Sequence, residues 1–222
     1  VDVSTLYIAI LLSFAKPDVL AEANTITVAT VENQSILASR SISLKNRYYT
    51  ESVNDIYKDN ILLTLSYLNG EVGKKEDINW SSVRQPKHDE FTLDPKETFA
   101  FHDQVLSEYK NIVKTTNAHF NYQDGFKSDG YLTGDGVCHL ASLMYWVASD
   151  ADLDTYAPTA HDFASINEIP KEYGVSIYYL PGGATLSAEQ NLYITNSFSY
   201  PIKFLFDLEG DELRVSIQKS SS

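Results

Sequence analysis

The chain has 222 residues, enough for one generous domain, or a domain with a smaller appendage, that buries its core without disulfide staples. Its 17 basic and 30 acidic residues leave a formal net charge of -13, which repels phosphate backbones and anionic headgroups and excludes nucleic acid as an expected partner. The single cysteine rules out an internal disulfide and fits either a reducing compartment or an extracytoplasmic protein that never relied on bridges.

In chain order, "LYIAILLSFA" (6–15) is an apolar run of signal-peptide length that is too short to span a bilayer, and a small-x-small pattern, "AEA" (21–23), lies shortly after it. No Lys or Arg precedes the run and "KPD" (16–18) breaks the stretch between the run and "AEA", so residues 1–23 read as a truncated or atypical export signal, with a packed N-terminal helix as the other reading. "TITVAT" (25–30) and "SILASRSISL" (35–44) are β-branched and alternating, as half-buried strands require. From Ser52, an N-cap with Asp55 three residues on, Val53, Ile56, Tyr57, Ile61, Leu65 and Leu68 keep helical spacing until Asn69 and Gly70. Residues 71–90 are charged and turn-rich, which suggests a surface loop or short helix and a candidate boundary between residues 24–90 and 91–217, with a single domain carrying an N-terminal extension as the simpler account.

"FTLDPKETFAFHD" (91–103) predicts strand, Pro-initiated turn and strand. "GDGVCHLASLMYWVA" (134–148) predicts a glycine-rich turn entering a helix that is apolar on nearly its whole circumference, hence central and buried. "GVSIYYL" (174–180), "NLYITN" (191–196), "YPIKFLF" (200–206) and "ELRVSI" (212–217) are β-rich and separated by the turn signals "PGGA", "SFS" and "EGD". The expected class is α+β: a buried central helix starting at the cysteine, packed on a mainly antiparallel sheet, with an N-terminal helix and strands.

A thiol attacks only as thiolate, and the first turn of a helix favours that form through unpaired N–H groups and the dipole. Cys138 stands at such a position as a candidate nucleophile. Gly134 and Gly136 would let a substrate carbonyl approach the backbone, with N–H groups near the cysteine receiving an oxyanion. His161, after the helix and a short connection, is the candidate general base. Asn191 is the candidate orienter of its ring, ahead of the adjacent Asp162. Against this stands the ordinary behaviour of a lone cysteine, which is to be buried and inert. His139 would point elsewhere on the helix, lining its entrance. His102, His119, His139, His161 and Cys138 could converge on a zinc ion, but none shows a short ligand spacing, so neither metal nor cofactor is expected.

"FTLDPKETFAFHD", "GYLTGDGVCHLASLMYWVA", "HDFASI", "LPGGATL" and "NLYITNSFSYPIKFLF" succeed one another in an order and spacing that resembles the VanW-like domain, named from vancomycin-resistance clusters, over roughly residues 91 to 206. The resemblance implies an exported or membrane-anchored bacterial envelope protein and places Cys138 and His161 on the family's cysteine and histidine. Three positions depart from the family pattern. Asp135 interrupts the glycine-rich lead-in, His139 replaces the usual glutamine, and the aspartate usual before the last strands is missing from "PGGAT". Asp135 would also raise the thiol pKa by placing a negative charge beside the thiolate.

The reading is an extracytoplasmic VanW-like protein acting on cell-wall peptidoglycan or its peptides through Cys138, His161 and Asn191 in amide hydrolysis or acyl transfer, with Gly134, Asp135, Gly136, His139 and Tyr178 around the ligand. The N-terminus is its candidate membrane anchor, and nothing in the sequence points to an oligomer. The alternative is a noncatalytic glycan- or peptidoglycan-binding module that uses the tyrosine-rich "YGVSIYYL" segment.

Overall fold

A computed structural model describes residues 35–109 and 111–220. The apolar run at 6–15, the "AEA" pattern and the strand expected at 25–30 lie outside the described residues.

Alternation is cleanest at the C-terminal end, and the main sheet is built there. Ile202, Phe204, Phe206 and Leu208 of β7 (Ile202–Glu209) point one way into the core, and the residues between them are more exposed. The chain reverses at Gly210, whose φ of +63° suits glycine, and returns as β8 (Glu212–Lys219) in antiparallel register. β1 (Ile36–Ser43) adds to the far side of β8 and β2 (Lys87–Leu93) to the far side of β7, giving the antiparallel order β1-β8-β7-β2. Strands from both sides of residue 90 therefore share one sheet. β2 begins within the stretch expected to be loop, because its first residues are half-exposed or exposed and pair by charge, Glu90 with Lys203 at 2.8 Å.

Helix α1 (Glu51–Asn69) starts one residue before Ser52, with Thr50 as an N-cap that makes no side-chain cap bond. The expected Ser52–Asp55 box does not form. Asn54 organises the entrance instead: its Oδ1 accepts from the Arg47 and Tyr48 amides and its Nδ2 donates to the Leu44 carbonyl. Gly70 ends the helix in the left-handed conformation, as the sequence implied. A 3-10 turn at Lys75–Asp77 and the short helix α2 (Trp80–Val83) lead into β2.

β3 (Thr98–Ala100), β4 (Ile112–Lys114), β5 (Asp154–Tyr156) and β6 (Tyr193–Thr195) form a second, small sheet in the order β4-β3-β6-β5, mixed because β3 and β4 run parallel. α3 (Val137–Asp150) packs on β1 and β8 and against α1, so the apolar helix is central. The class is α+β. Phe91 joins the layers, stacking on Phe204 at 4.8 Å and on Phe99 at 5.2 Å.

One predicted strand is not a strand. "GVSIYYL" is extended but has a single bridge, Val175 with Ala160, and "PGGA" leads not into a hairpin but into α4 (Ala184–Glu189). The reason is which partners reach the segment. Its amides donate to Ser142 Oγ (from Val175, 2.9 Å), the Thr159 carbonyl (from Ser176, 2.9 Å), Cys138 Sγ (from Ile177, 3.4 Å) and the Gln190 carbonyl (from Tyr178, 3.1 Å). Side chains one turn apart on α3 thus take the place of a neighbouring strand.

Candidate functional site

The start of α3 opens into a cleft of about 350 Å³. Gly134, Asp135, Gly136, Cys138 and His139 come to it from the helix entrance, His161 and Phe163 from the loop after β5, Tyr178 and Tyr179 from the extended segment, and Tyr131 and Leu132 from the loop before the helix. Tyr131 is 93% exposed, and Leu132, Phe163 and Tyr178 also show large apolar surface, so the mouth is aromatic and wet.

Both glycines are required by the fold itself. A Cβ on Gly136, at φ +96°, would sit 2.5 Å from the Tyr57 carbonyl oxygen, and one on Gly134, at φ +88°, would sit 2.7 Å from that of Phe120. The close approach read in the sequence as room for a substrate is made by the protein's own α1 and the 120 loop. The loop is drawn in by Asn60, fully buried on α1: it accepts from the Lys127 amide at 2.8 Å and donates to the Lys127 and Asp135 carbonyls at 3.0 and 2.9 Å.

Cys138 is the second residue of α3 and is half-buried. Its Sγ accepts from the Ile177 amide at 3.4 Å and donates to the Ile177 carbonyl at 3.6 Å. Burial pushes the thiol up to about 11; the Ile177 hydrogen bond opposes this and the nearby Asp135 carboxylate adds to it. At neutral pH the group is therefore a thiol, despite its place at a helix N-terminus.

His161 is 7% exposed, and its Nδ1 lies 3.1 Å from the Ala164 carbonyl. A carbonyl only accepts, so Nδ1 carries the proton and Nε2 is left with its lone pair. Burial lowers the pKa of this ring and keeps it neutral, with the Ala164 hydrogen bond opposing. The orienter is thus a backbone carbonyl and not Asn191. Asn191 is fully buried away from the cleft wall: its Nδ2 donates to the His102 and Gln104 carbonyls at 3.0 and 2.9 Å, and its Oδ1 accepts from the His102 amide at 3.2 Å. It pins a connection beside the second sheet because its amide matches three backbone groups there at once.

Asp135 lines the cleft with its carboxyl raised to about 6 by burial and the neighbouring Asp129 charge. His139 does not point elsewhere. It packs against Tyr57 at 5.0 Å and edge-on to His161 at 6.3 Å between ring centres, and burial, with Arg47 and His161 adding, lowers its pKa to about 3. Among the described residues no group of three or more His, Cys, Asp or Glu side chains is placed to hold a metal ion. His102 is bonded to the Gln190 carbonyl, and His119, which lines the cleft as Cys138 does, to Asp103.

Three positioning residues escaped the sequence reading, Asn60 and the two that follow. Arg47, its side chain wholly buried, donates to the Ser43 and Asn167 carbonyls at 2.8 and 3.0 Å and pairs with Glu168, so it clamps the loop that carries His161. Ser142 donates to the Cys138 carbonyl at 2.7 Å while accepting from Val175. The available signal was polar residues inside apolar runs, Asn60 and Ser142 above all.

The family model described as VanW like protein matches residues 81–218, more than half of the chain. The chain belongs to the VanW-like family. No curated protein and no solved structure matches it. The family match spans β2 to β8, while β1 and α1, which complete the main sheet and brace the glycine turn, lie before it.

Proposed function

We propose that this VanW-like protein is an extracytoplasmic envelope protein whose cleft binds peptidoglycan, through its glycan or its stem peptides, with Cys138 as part of the cleft wall. One observation carries the reading: the thiol spends both its donor and its acceptor on the Ile177 backbone. That bond pattern belongs to a structural side chain. The exposed aromatic mouth supports it, since Tyr131, Phe163 and Tyr178 offer flat apolar faces with polar edges to sugar rings or peptide planes.

The experiment is a pull-down on purified cell wall. Binding is expected to survive Cys138→Ala and to fall at least about tenfold in Tyr178→Ala, the equivalent of ~1.4 kcal/mol. Alkylation of Cys138 is expected to be ~10² slower at neutral pH than that of an ordinary cysteine with a pKa near 8.5, and to accelerate as the pH approaches 11. Retention of the wall that depends on Cys138 and not on Tyr178 would defeat the proposal.

One observation favours a second reading, amide hydrolysis or acyl transfer. His161 shares the cleft with Cys138 and holds its proton on Nδ1, which leaves Nε2 as a base for the Sγ proton. A bound substrate would have to free the sulfur from Ile177 before it could attack. Release of wall fragments by the wild-type chain, abolished by Cys138→Ala, would select this reading over binding.

A further inference from the structure

His139 is 6% exposed, lines the cleft, and has its Nδ1 buried without a hydrogen-bond partner. A buried unpaired N–H costs more than a buried lone pair, so the proton of the neutral ring resides on Nε2. The neighbouring His161 is the complement. Its Nδ1–H is committed to the Ala164 carbonyl, so its Nε2 is unprotonated. Two edge-on imidazoles with centres 6.3 Å apart thus present one donor and one acceptor to the same floor.

The cleft carries a carboxylate of its own, Asp135, which acts on Cys138 and Tyr57. The groups facing the pair are Arg47 from the connection between β1 and α1, Tyr57 from α1, Cys138 from α3, and Asp162 beside His161, with Asp135 and His119 lining the same cleft. Glu168 is half-exposed and already paired with Arg47. The buried guanidinium still acts on His139, and burial and this positive charge together hold the ring neutral. A ligand anion would favour a protonated ring against both effects, and the wall aromatics select an organic one.

We propose that His139 and His161 recognise the terminal carboxylate of a peptide lying in the cleft, His139 donating one hydrogen bond and His161 taking a proton from solvent to donate the second. A carboxylate offers two oxygens in one plane and can bridge two ring nitrogens, whereas a C-terminal amide presents one acceptor and a donor. This rests on the cleft being a binding site, and it names the chemical class of ligand.

The test is calorimetric titration of the full chain with acetyl-Ala-Ala as free acid and as C-terminal amide, in two buffers of different ionisation enthalpy. The acid is expected to bind about tenfold or more tighter than the amide, with close to one proton taken up per ligand. Its affinity should rise by up to about tenfold per unit as the pH falls from about 8 to about 6, where the ligand carboxylate stays charged. With Asp135→Asn in the background, which removes the other cleft group titrating near pH 6, His161→Gln should abolish the proton uptake and flatten this slope, and His139→Gln should retain part of the preference for the acid. Equal binding of acid and amide, or a slope that survives His161→Gln in that background, overturns carboxylate recognition. If neither dipeptide binds while the chain still retains cell wall, carboxylate recognition fails alone; if wall retention is absent too, the cleft reading falls with it.

Discussion

The β7–β8 hairpin and the 120–183 region are held together by different means. In the hairpin, backbone pairs with backbone in unbroken register from Ile202 with Lys219 to Glu209 with Glu212, and the inward side chains, Phe204 and Phe206 among them, fill the core. Around the cleft the backbone is largely irregular, and single side chains satisfy it: Asn60 holds the glycine loop, Cys138 and Ser142 hold 175–177, and Arg47 holds 167–168. A ladder spreads a lost contact over many bonds. A pin concentrates it, so the two regions should differ in what a mutation does to the site.

The largest effect is expected from Phe204→Ala, which should cost about 3–5 kcal/mol in urea denaturation yet leave Cys138 alkylation in the folded state unchanged. A change in alkylation would mean that sheet and cleft are not separable. Asn60→Ala should cost about 2–4 kcal/mol, since three buried backbone groups lose their partner, and should also accelerate alkylation by loosening the turn before α3.

The same substitution at two glycines sharpens the contrast. Gly136→Ala combines φ +96° with a carbonyl 2.5 Å from the new Cβ and should cost more than about 2 kcal/mol; Gly210→Ala, at φ +63° with open space around it, should cost about 1 kcal/mol. Comparable melting temperatures for the two variants would refute the close approach to Tyr57.

The smallest expected effect is electrostatic. Asp135 has its folded pKa raised to about 6, above the unfolded value, so it binds its proton more tightly when folded. Its contribution to stability is present below pH 4 and is lost as the pH rises through 6. Asp135→Asn should therefore stabilise the chain at neutral pH, by about 1 kcal/mol once screening of this half-exposed group is allowed for, and by nothing at acid pH. Asp59 provides the opposite sign. Arg84 and Lys127 hold its carboxyl low against the effect of burial, so its stabilisation is full above the ordinary carboxylate range and fades as the pH falls through the folded value. Denaturation midpoints across pH, for the wild type, Asp135→Asn and Asp59→Asn, separate these contributions.

Much of the fold was legible because its signals are local. Alternation in "YPIKFLF" and "ELRVSI" marks β7 and β8, Gly70 marks the end of α1, and the apolar circumference of "VCHLASLMYWVA" marks a buried helix. Legibility failed at "GVSIYYL" for a physical reason. Its composition specifies an extended, half-buried backbone, and α3 side chains instead of a strand satisfy the amides of Val175 and Ile177. Asn191 shows the same limit. An asparagine at a strand entrance is suited to orient a histidine, but which one depends on distance in space, and it meets His102.

By itself the sequence determined the class, the central helix and the hairpin, because these come from side-chain period and turn chemistry. The tertiary structure decided what those groups can do. It set the thiol against Ile177, turned the glycines toward α1, gave His161 a carbonyl for its proton and left His139 without a partner. Protonation, tautomer and hydrogen-bond saturation depend on burial and on partners distant along the chain, and no local pattern carries them.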